Sequence, residues 1–263
     1  MEHARDAVIA PGEITGVAFD MDGVVTDTAS VHAAAWKRTF DDFLRSHLSA
    51  EGERYVPFAL REDYLAYVDG RSRLDGVRTF LASRGITLPE DGPDADPRAL
   101  TVAALGDRKE RYFLDYVGAY GVTAYPSTIA LLESLRRAGI GTAVVSASRN
   151  CAAIVRAAGA ARLFDVRVDG RDAERLRLPG KPDPALFLEA ARRMATPPAR
   201  TAVVEDSLAG VEAGARGGFG LVVGVDRVQQ ASQLYTRGAH VVVSDLGELT
   251  VAEKNEDEWT PGR

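Results

Sequence analysis

Residues Ile14 to Thr28 read I-T-G-V-A-F-D-M-D-G-V-V-T-D-T, and the rest of the chain is organised around them. Val17, Ala18 and Phe19 are apolar and suit a strand, and the run stops abruptly at Asp20, Met21, Asp22 and Gly23. A buried parallel strand that opens onto a functional loop ends in this way. Side chains alternate sides along a strand, so Asp20 and Asp22 are expected to face one way and Met21 the other. Two carboxylates that close repel unless a cation lies between them, and a hard divalent ion with oxygen ligands, Mg²⁺, is the expected partner. Gly23 permits a sharp bend after the pair, and Thr26, Asp27 and Thr28 offer polar groups where a helix should begin. Taken alone, the stretch also reads as a strand followed by an Asp-rich turn, with Asp27 or Thr28 merely capping a helix.

The 263 residues, 46% of them hydrophobic, suffice for one large domain or two of moderate size. A net charge of -6 gives no general attraction to nucleic acid or to an anionic membrane. A phosphate-bearing ligand would therefore be held by local cations, which suits a small molecule better than a polymer. No window approaches the ~20 apolar residues of a membrane span, and Met1 to Pro11, with Glu2, Arg5 and Asp6, lacks an apolar signal core. A cytoplasmic monomer with no membrane or nucleic-acid partner is expected. The single cysteine, Cys151, has no partner pattern around it and reads as a small apolar helix residue.

From Ala29 to Tyr120 there is almost no strand signal, and the periodicity is helical apart from a less regular stretch holding Gly52 and Pro57. Helices are predicted over Ala29 to Leu48, Arg61 to Val68 with a stop at Asp69 and Gly70, Leu74 to Ser83, and Ala99 to Tyr116, with a Pro-, Gly- and Asp-rich loop over Leu88 to Pro97. The period changes at Tyr125 and Pro126. Strands are then predicted at Gly141 to Val145, Phe164 to Val168, Thr201 to Val204, Leu221 to Val225 and His240 to Val243, with helices at Ile129 to Arg137, Ala152 to Ala158, Ala185 to Met194 and Leu208 to Ala215. Apolar strands alternating with helices indicate a parallel sheet covered on both faces. The expected fold is an α/β, doubly wound, Rossmann-like core, residues 1–28 and 121–263, with an inserted all-helical cap, residues 29–120. Ligands in such sheets bind beyond the carboxyl ends of the strands, so cap and site should face each other. The polar tail from Glu253 to Arg263 is expected to fray.

Three further polar clusters fall where strands end or helices begin. Thr142 to Val145 leads into Ser146, Ala147, Ser148, Arg149 and Asn150, where a hydroxyl and helix-start amides can hold an anion. Gly180 to Pro184 places Lys181 in a rigid loop, where its ammonium can offset negative charge. Ala202 to Val204 leads into Glu205, Asp206 and Ser207, a further source of metal ligands. Singly, each reads as readily as a helix cap or a solvated loop charge. Four in this order are hard to assign to coincidence.

The series D-M-D-G-V-V-T-D-T, V-V-S-A-S-R-N, G-K-P-D-P and V-V-E-D-S-L-A-G-V-E-A-G resembles the four motifs of the haloacid dehalogenase superfamily, in its subclass with a helical cap after the first motif. The resemblance spans nearly the whole chain. It implies that Asp20 is the nucleophile that takes up a phosphoryl group as aspartyl phosphate and that Asp22 is the general acid and base. It further implies that Mg²⁺ is held by Asp20, the Asp22 backbone carbonyl and Asp206 with Glu205 nearby, and that Ser146 and Lys181 bind the transferring phosphate. A carboxylate attacks a phosphate competently only when a cation shields it, so the residues suit that chemistry.

Within the superfamily the cap resembles that of the β-phosphoglucomutases, which interconvert β-glucose 1-phosphate and glucose 6-phosphate through glucose 1,6-bisphosphate. Thr28 with His32 and Trp36, the loop Gly70, Arg71, Ser72 and Arg73, Lys109, and the run Ser146 to Asn150 carry that likeness. His32 and Trp36 are four apart and share a helix face. By this resemblance Thr28, His32, Trp36, Gly70, Ser72, Arg73, Lys109, Ala147, Ser148, Arg149 and Asn150 bind a small phosphosugar, with Arg73 and Arg149 at the second phosphate. Arg71 departs from the family's pattern in bulk and charge, and the stretch Glu51 to Arg61 is longer. The same machinery serves a sugar-phosphate phosphatase if water is admitted. A 2-haloacid dehalogenase would dispense with Asp22, and a catalytically silent binding module would lack one of the motif residues.

Overall fold

A computed structural model describes residues 7–51, 56–91 and 100–253. The tail after Glu253, the leading residues 1–6, most of the Pro-rich loop and residues 52–55 of the longer cap stretch lie outside the described residues. In chain order the elements are β1 (Val8–Ile9), β2 (Gly16–Asp20), α1 (Ala29–Glu51), a π-helical turn (Tyr64–Val68), α2 (Arg73–Ser83), α3 (Val102–Tyr120), α4 (Pro126–Arg137), β3 (Gly141–Val145) and α5 (Cys151–Ala157). There follow β4 (Val166–Val168), α6 (Gly170–Leu176), α7 (Ala185–Arg193), β5 (Thr201–Glu205), α8 (Leu208–Arg216), β6 (Leu221–Val225), α9 (Ala231–Thr236), β7 (Val241–Val243) and β8 (Thr250–Val251).

Six strands form one parallel sheet in the order β4-β3-β2-β5-β6-β7. The apolar run of β2 is buried along its whole length because it lies in the middle, paired with β3 on one side and β5 on the other. Its side chains divide between two cores by the period of two. Val17, Phe19 and Met21 join a cluster with Leu132, Val144, Ile154 and Val204, while Ala18 joins another with Val145, Val203, Leu186, Phe187 and Val211. Helices α4 and α5 thus cover one face and α7 and α8 the other, which is the doubly wound arrangement.

Four short elements, α6, α9, β1 and β8, go beyond the sequence expectations. Helix α6, G-R-D-A-E-R-L, has too few apolar residues to show a helical period, and it is started by Asp169, whose carboxylate accepts from the amides of Arg171 and Asp172 in a capping box. Helix α9 buries only Leu234. The parallel pair β1 and β8 is two residues long on each side, shorter than any readable periodicity.

Between β2 and α4 the described chain is helical, as expected. Trp36, Phe40, Phe43, Phe58, Val77, Phe80 and Leu105 form a third apolar cluster inside the insert. Phe40 and Phe80 are fully buried with ring centroids 4.0 Å apart, so truncating either to Ala should cost roughly 3–5 kcal/mol. Val31 and Ala35 of α1 and Phe113 of α3 belong instead to the sheet's own cluster, which seats the base of the insert on the core. The segment expected as helix up to Val68 closes as a π turn, and this brings Asp69 and Gly70 over the sheet. Gly70, with φ +67°, lies so close to the loop after β5 that a Cβ there would sit 2.3 Å from Ser207 Oγ.

Candidate active site

The chain winds outward from β2 through β3 and β4, then returns to place β5 on the other side of β2, so the switch point lies between β2 and β5. Asp20 ends β2 and Glu205 ends β5. By the alternation that puts Ala18 and Val203 on the α7 and α8 face, both carboxylates emerge on that face. Lys181 stands in the loop that leads into α7 and reaches them both: its Nζ donates to Asp20 Oδ1 and Glu205 Oε1. All three are buried, Glu205 at 0% exposure.

Glu205 is held from behind. Its Oε2 accepts from the backbone amide of Ser207 at 2.8 Å and from the Ser207 hydroxyl at 2.9 Å, while that hydroxyl accepts from Gly210 N at 3.0 Å and so caps α8. Gly210 is required here, because a Cβ would stand 1.8 Å from Glu205 Oε1. Gly23, with φ +82°, gives Asp206 the same clearance, a Cβ there falling 1.8 Å from its Oδ2.

Asp20, Glu205 and Asp206 each offer a carboxylate oxygen, and these oxygens lie within 4.8 Å of one another. Burial raises the pKa of Asp20 well above the carboxylate range against the pull of Lys181, and the Glu205 and Asp22 charges add to the rise. Burial raises Asp206 as well, with Asp69 and Glu205 adding their charge. Burial alone would lower Lys181, but the Asp20 and Glu205 carboxylates outweigh it and push its pKa up. An all-oxygen donor set with more negative charge than one ammonium balances fits a hard divalent cation. The site can hold a metal ion.

Asp22 lines the same cavity as Asp20 and its charge adds to the rise of the Asp20 pKa, as a shared side implies, but other groups hold it. The alternation runs on through Met21, which joins the cluster of Val17 and Phe19, and the chain then turns back, Gly23 N donating to Thr26 O at 2.8 Å. The Asp22 carboxylate accepts from Thr28 Oγ1 and lies 3.2 Å from His32 Nε2, so the repulsion on Asp20 comes chiefly from the tip of β5. Burial opposes the ionisation of Asp22, yet the His32 contact, the Thr28 hydrogen bond and the Lys109 charge hold its pKa down to about 2. Lys109, from α3, donates to His32 Nδ1, which leaves the proton of a neutral imidazole on Nε2, the nitrogen 3.2 Å from Asp22 Oδ1. Burial and then the Lys109 ammonium lower the pKa of His32, and burial brings Lys109 down to about 8.

These groups open into a cavity of about 440 Å³ between the insert and the strand tips, lined by Asp20, Asp22, His32, Lys109, Lys181 and Asp206 among others. Trp36, Gly70, Arg71, Ser72, Arg73, Ala147, Ser148 and Arg149 also line it. Trp36 is mostly committed to the insert's core, stacked on Phe40 at 5.0 Å. Ser72 caps α2, its hydroxyl donating to Asp75 Oδ2 at 2.6 Å. Ser146, Thr28, Asn150 and Glu205 stand behind the wall. Ser146 Oγ accepts from Ser148 N at 3.1 Å, and Asn150 Nδ2 donates to Glu110 Oε1. Arg149 leans outward onto Glu174 at 2.8 Å.

Three cavity residues escaped the sequence reading. Asp69 looks like a helix stop before Gly70, yet burial and the Glu205 charge raise its carboxyl to about 7. Burial, with the Asp69 and Asp206 charges adding to it, drives the pKa of Tyr64 up. Glu110 pairs with Arg73 at 3.4 Å. All three lie on the insert, and only contact with the core separates them from surface polar residues.

A doubly wound sheet with a lysine-bridged carboxylate cluster at its switch point defines an enzyme of the phosphotransferase and hydrolase class. The model of the haloacid dehalogenase-like hydrolases matches residues 14–218. The β-phosphoglucomutase of Mycobacterium bovis is 43% identical over 242 residues, 91% of this chain and 92% of that protein. Hexitol phosphatase A of Escherichia coli is 29% identical over 243 residues, 91% of this chain and 94% of that protein. A crystal structure of β-phosphoglucomutase from Clostridium difficile has the same fold, with TM-score 0.69 and 22% identity over 90% of this chain and 93% of that one. The chain belongs to the haloacid dehalogenase superfamily, in its β-phosphoglucomutase-like subfamily.

Proposed function

We propose that the chain is a Mg²⁺-dependent phosphomutase that interconverts β-D-glucose 1-phosphate and glucose 6-phosphate through an aspartyl-phosphate enzyme and glucose 1,6-bisphosphate. The observation that carries the reading is the separation of two neighbouring carboxylates into different surroundings. Asp20 sits in the charged cluster with Lys181, and Asp22 is held apart by Thr28 and His32. Asp20 then attacks phosphorus, and Lys181 neutralises charge on the carboxylate and on the transferring phosphate. Asp22 protonates the departing sugar oxygen and deprotonates the incoming hydroxyl. Asp20, Asp206 and the Asp22 backbone carbonyl, with Glu205 nearby, would hold Mg²⁺, which when bound supplies electrostatic shielding between carboxylate and phosphate. Ser146, whose hydroxyl orders the loop after β3 from behind the wall, and the amides of that loop serve the phosphate on the core side. Gly70, Ser72, Arg73 and Lys109 do so from the insert, with Ala147, Ser148, Arg149 and Asn150 opposite. Residues 29–120 act as a cap domain over a core of 1–28 and 121–263, and the sugar is shielded from water beneath it. Among the described residues no helix is long and apolar enough to cross a membrane.

The likeness to hexitol phosphatase A supports a second reading, release of inorganic phosphate by the same residues with water admitted. Incubation with β-glucose 1-phosphate, Mg²⁺ and a trace of glucose 1,6-bisphosphate separates the two. Glucose 6-phosphate is the expected product; inorganic phosphate without glucose 6-phosphate would exclude the mutase.

A further inference from the structure

Glu110 stands on α3 beside Lys109, lines the cavity and is 21% exposed. Its Oε1 accepts from Asn150 Nδ2 in the core loop after β3, and its Oε2 lies 3.4 Å from Arg73 Nη1. Arg73 has a second carboxylate partner, Asp107 at 3.1 Å, but that one is 61% exposed, so Glu110 is the partner on the cavity side. The Arg73 guanidinium on the cavity wall and the Asn150 amide N–H from just behind it converge on Glu110, and such a donor pair takes a phosphate oxygen. Here they hold a carboxylate of the protein itself.

We propose that Glu110 is a specificity-determining residue, a resident anion that occupies the second phosphate position and is displaced by the ligand's non-transferred phosphate. The inference rests on the proposed reading of a ligand with two anionic ends. While Glu110 is in place, the Arg73 charge is paired and Asn150 Nδ2 has its acceptor. A neutral sugar end cannot replace it, since a hydroxyl offers no charge to the guanidinium, whereas a phosphate with nearly two charges and three oxygens outcompetes one carboxylate. Glu110 therefore weakens all ligands at this position but weakens those without the second phosphate most. A plain strap between insert and core makes the opposite prediction: its removal would loosen the closed cavity and weaken phosphosugar binding.

The test uses full-length Asp20→Asn protein, which does not consume the probe, titrated with glucose 1,6-bisphosphate in Mg²⁺ buffer at fixed ionic strength by calorimetry. Adding Glu110→Gln keeps shape and hydrogen bonding but removes the charge. The Kd is expected to fall roughly fivefold to tenfold, the scale of a partly exposed ion pair with one charged hydrogen bond. Glu110→Ala, with thermal melts to verify folding, should move it the same way. Binding that is unchanged or weaker in both Glu110 variants overturns the proposal and leaves the two-anion reading standing. No binding of the bisphosphate to either background overturns that reading and the proposal with it.

Discussion

Replacing Lys181 by Met tests the charge balance on which the site depends. The ammonium is buried and bridges Asp20 and Glu205, with Asp206 alongside, so three carboxylates face one cation. Breaking a buried pair by removing one partner costs about 3–5 kcal/mol. Proton uptake sets an upper limit on that cost. An aspartate of ordinary pKa 3.8 takes a proton at pH 7 for about 4 kcal/mol, from 1.36 kcal/mol per unit over about three units, and at pH 5 for under about 2 kcal/mol. Lys181→Met should therefore destabilise the folded protein by about 3–4 kcal/mol at pH 7 and by less than about 2 kcal/mol at pH 5. The sign follows from linkage: a carboxyl whose folded pKa is raised binds its proton more tightly when folded, so its penalty grows as pH rises from 3.8 toward the raised value. Urea unfolding of both proteins in EDTA at the two pH values reads the difference. A penalty below 1 kcal/mol at pH 7, or one independent of pH, would refute the reasoning.

Gly23→Ala should preserve the sheet but displace Asp206, because the new Cβ meets Asp206 Oδ2 at 1.8 Å on a backbone of φ +82°; the Mg²⁺ concentration for half-maximal activity is expected to rise by at least tenfold in a metal titration, and an unchanged value would count against Asp206 as a ligand. In EDTA the wild-type protein should lose stability as pH rises from about 5 to 7, since Asp69 is raised to about 7 by burial and the Glu205 charge, at up to about 1.4 kcal/mol per pH unit. Mg²⁺ should flatten that slope, and a metal-insensitive slope by differential scanning fluorimetry would dissociate Asp69 from the cluster.

What the sequence made legible was whatever a period or a strand end could carry. β2, β3 and β6 are apolar runs closed by polar residues, and their bounds follow from the residues alone. Lys181 and Glu205 were legible as motif members, but their shared ammonium bridge depends on β2 and β5 being neighbours, which is a property of strand order. Asp20 and Asp22 open on one cavity as their spacing implies, but their partners were not legible, because the turn at Gly23 hands Asp22 to Thr28 and His32. Asp69 and Glu110 were invisible because each has the sequence context of an ordinary surface helix and acquires its meaning from residues about 40 or more positions away, at Glu205 for Asp69 and at Asn150 for Glu110. The short α6 and α9 rest on a capping box and on one buried leucine, signals too small for a periodicity to register.

Two carboxylates whose environments push their acidities apart divide acid–base labour between them, and here the divergence occurs over two residues of chain. Asp20 is raised by burial and Asp22 is held at about 2 despite it. An ionised Asp22 enters the proposed cycle as a base, takes the proton of the attacking hydroxyl and returns it to the departing oxygen, so one proton serves both half-reactions. Its ionisation depends on His32, on the first helix of the insert, and through it on Lys109. His32→Asn removes that support and leaves burial to dominate, so the Asp22 pKa should rise and the acid limb of kcat/KM for β-glucose 1-phosphate should move to higher pH by one to two units, roughly the sum of a lost charged contact and the Lys109 orientation. A pH–rate profile measured from 4 to 8 on both proteins decides it. A limb that stays in place while kcat drops would mean that His32 positions the sugar and does not tune Asp22.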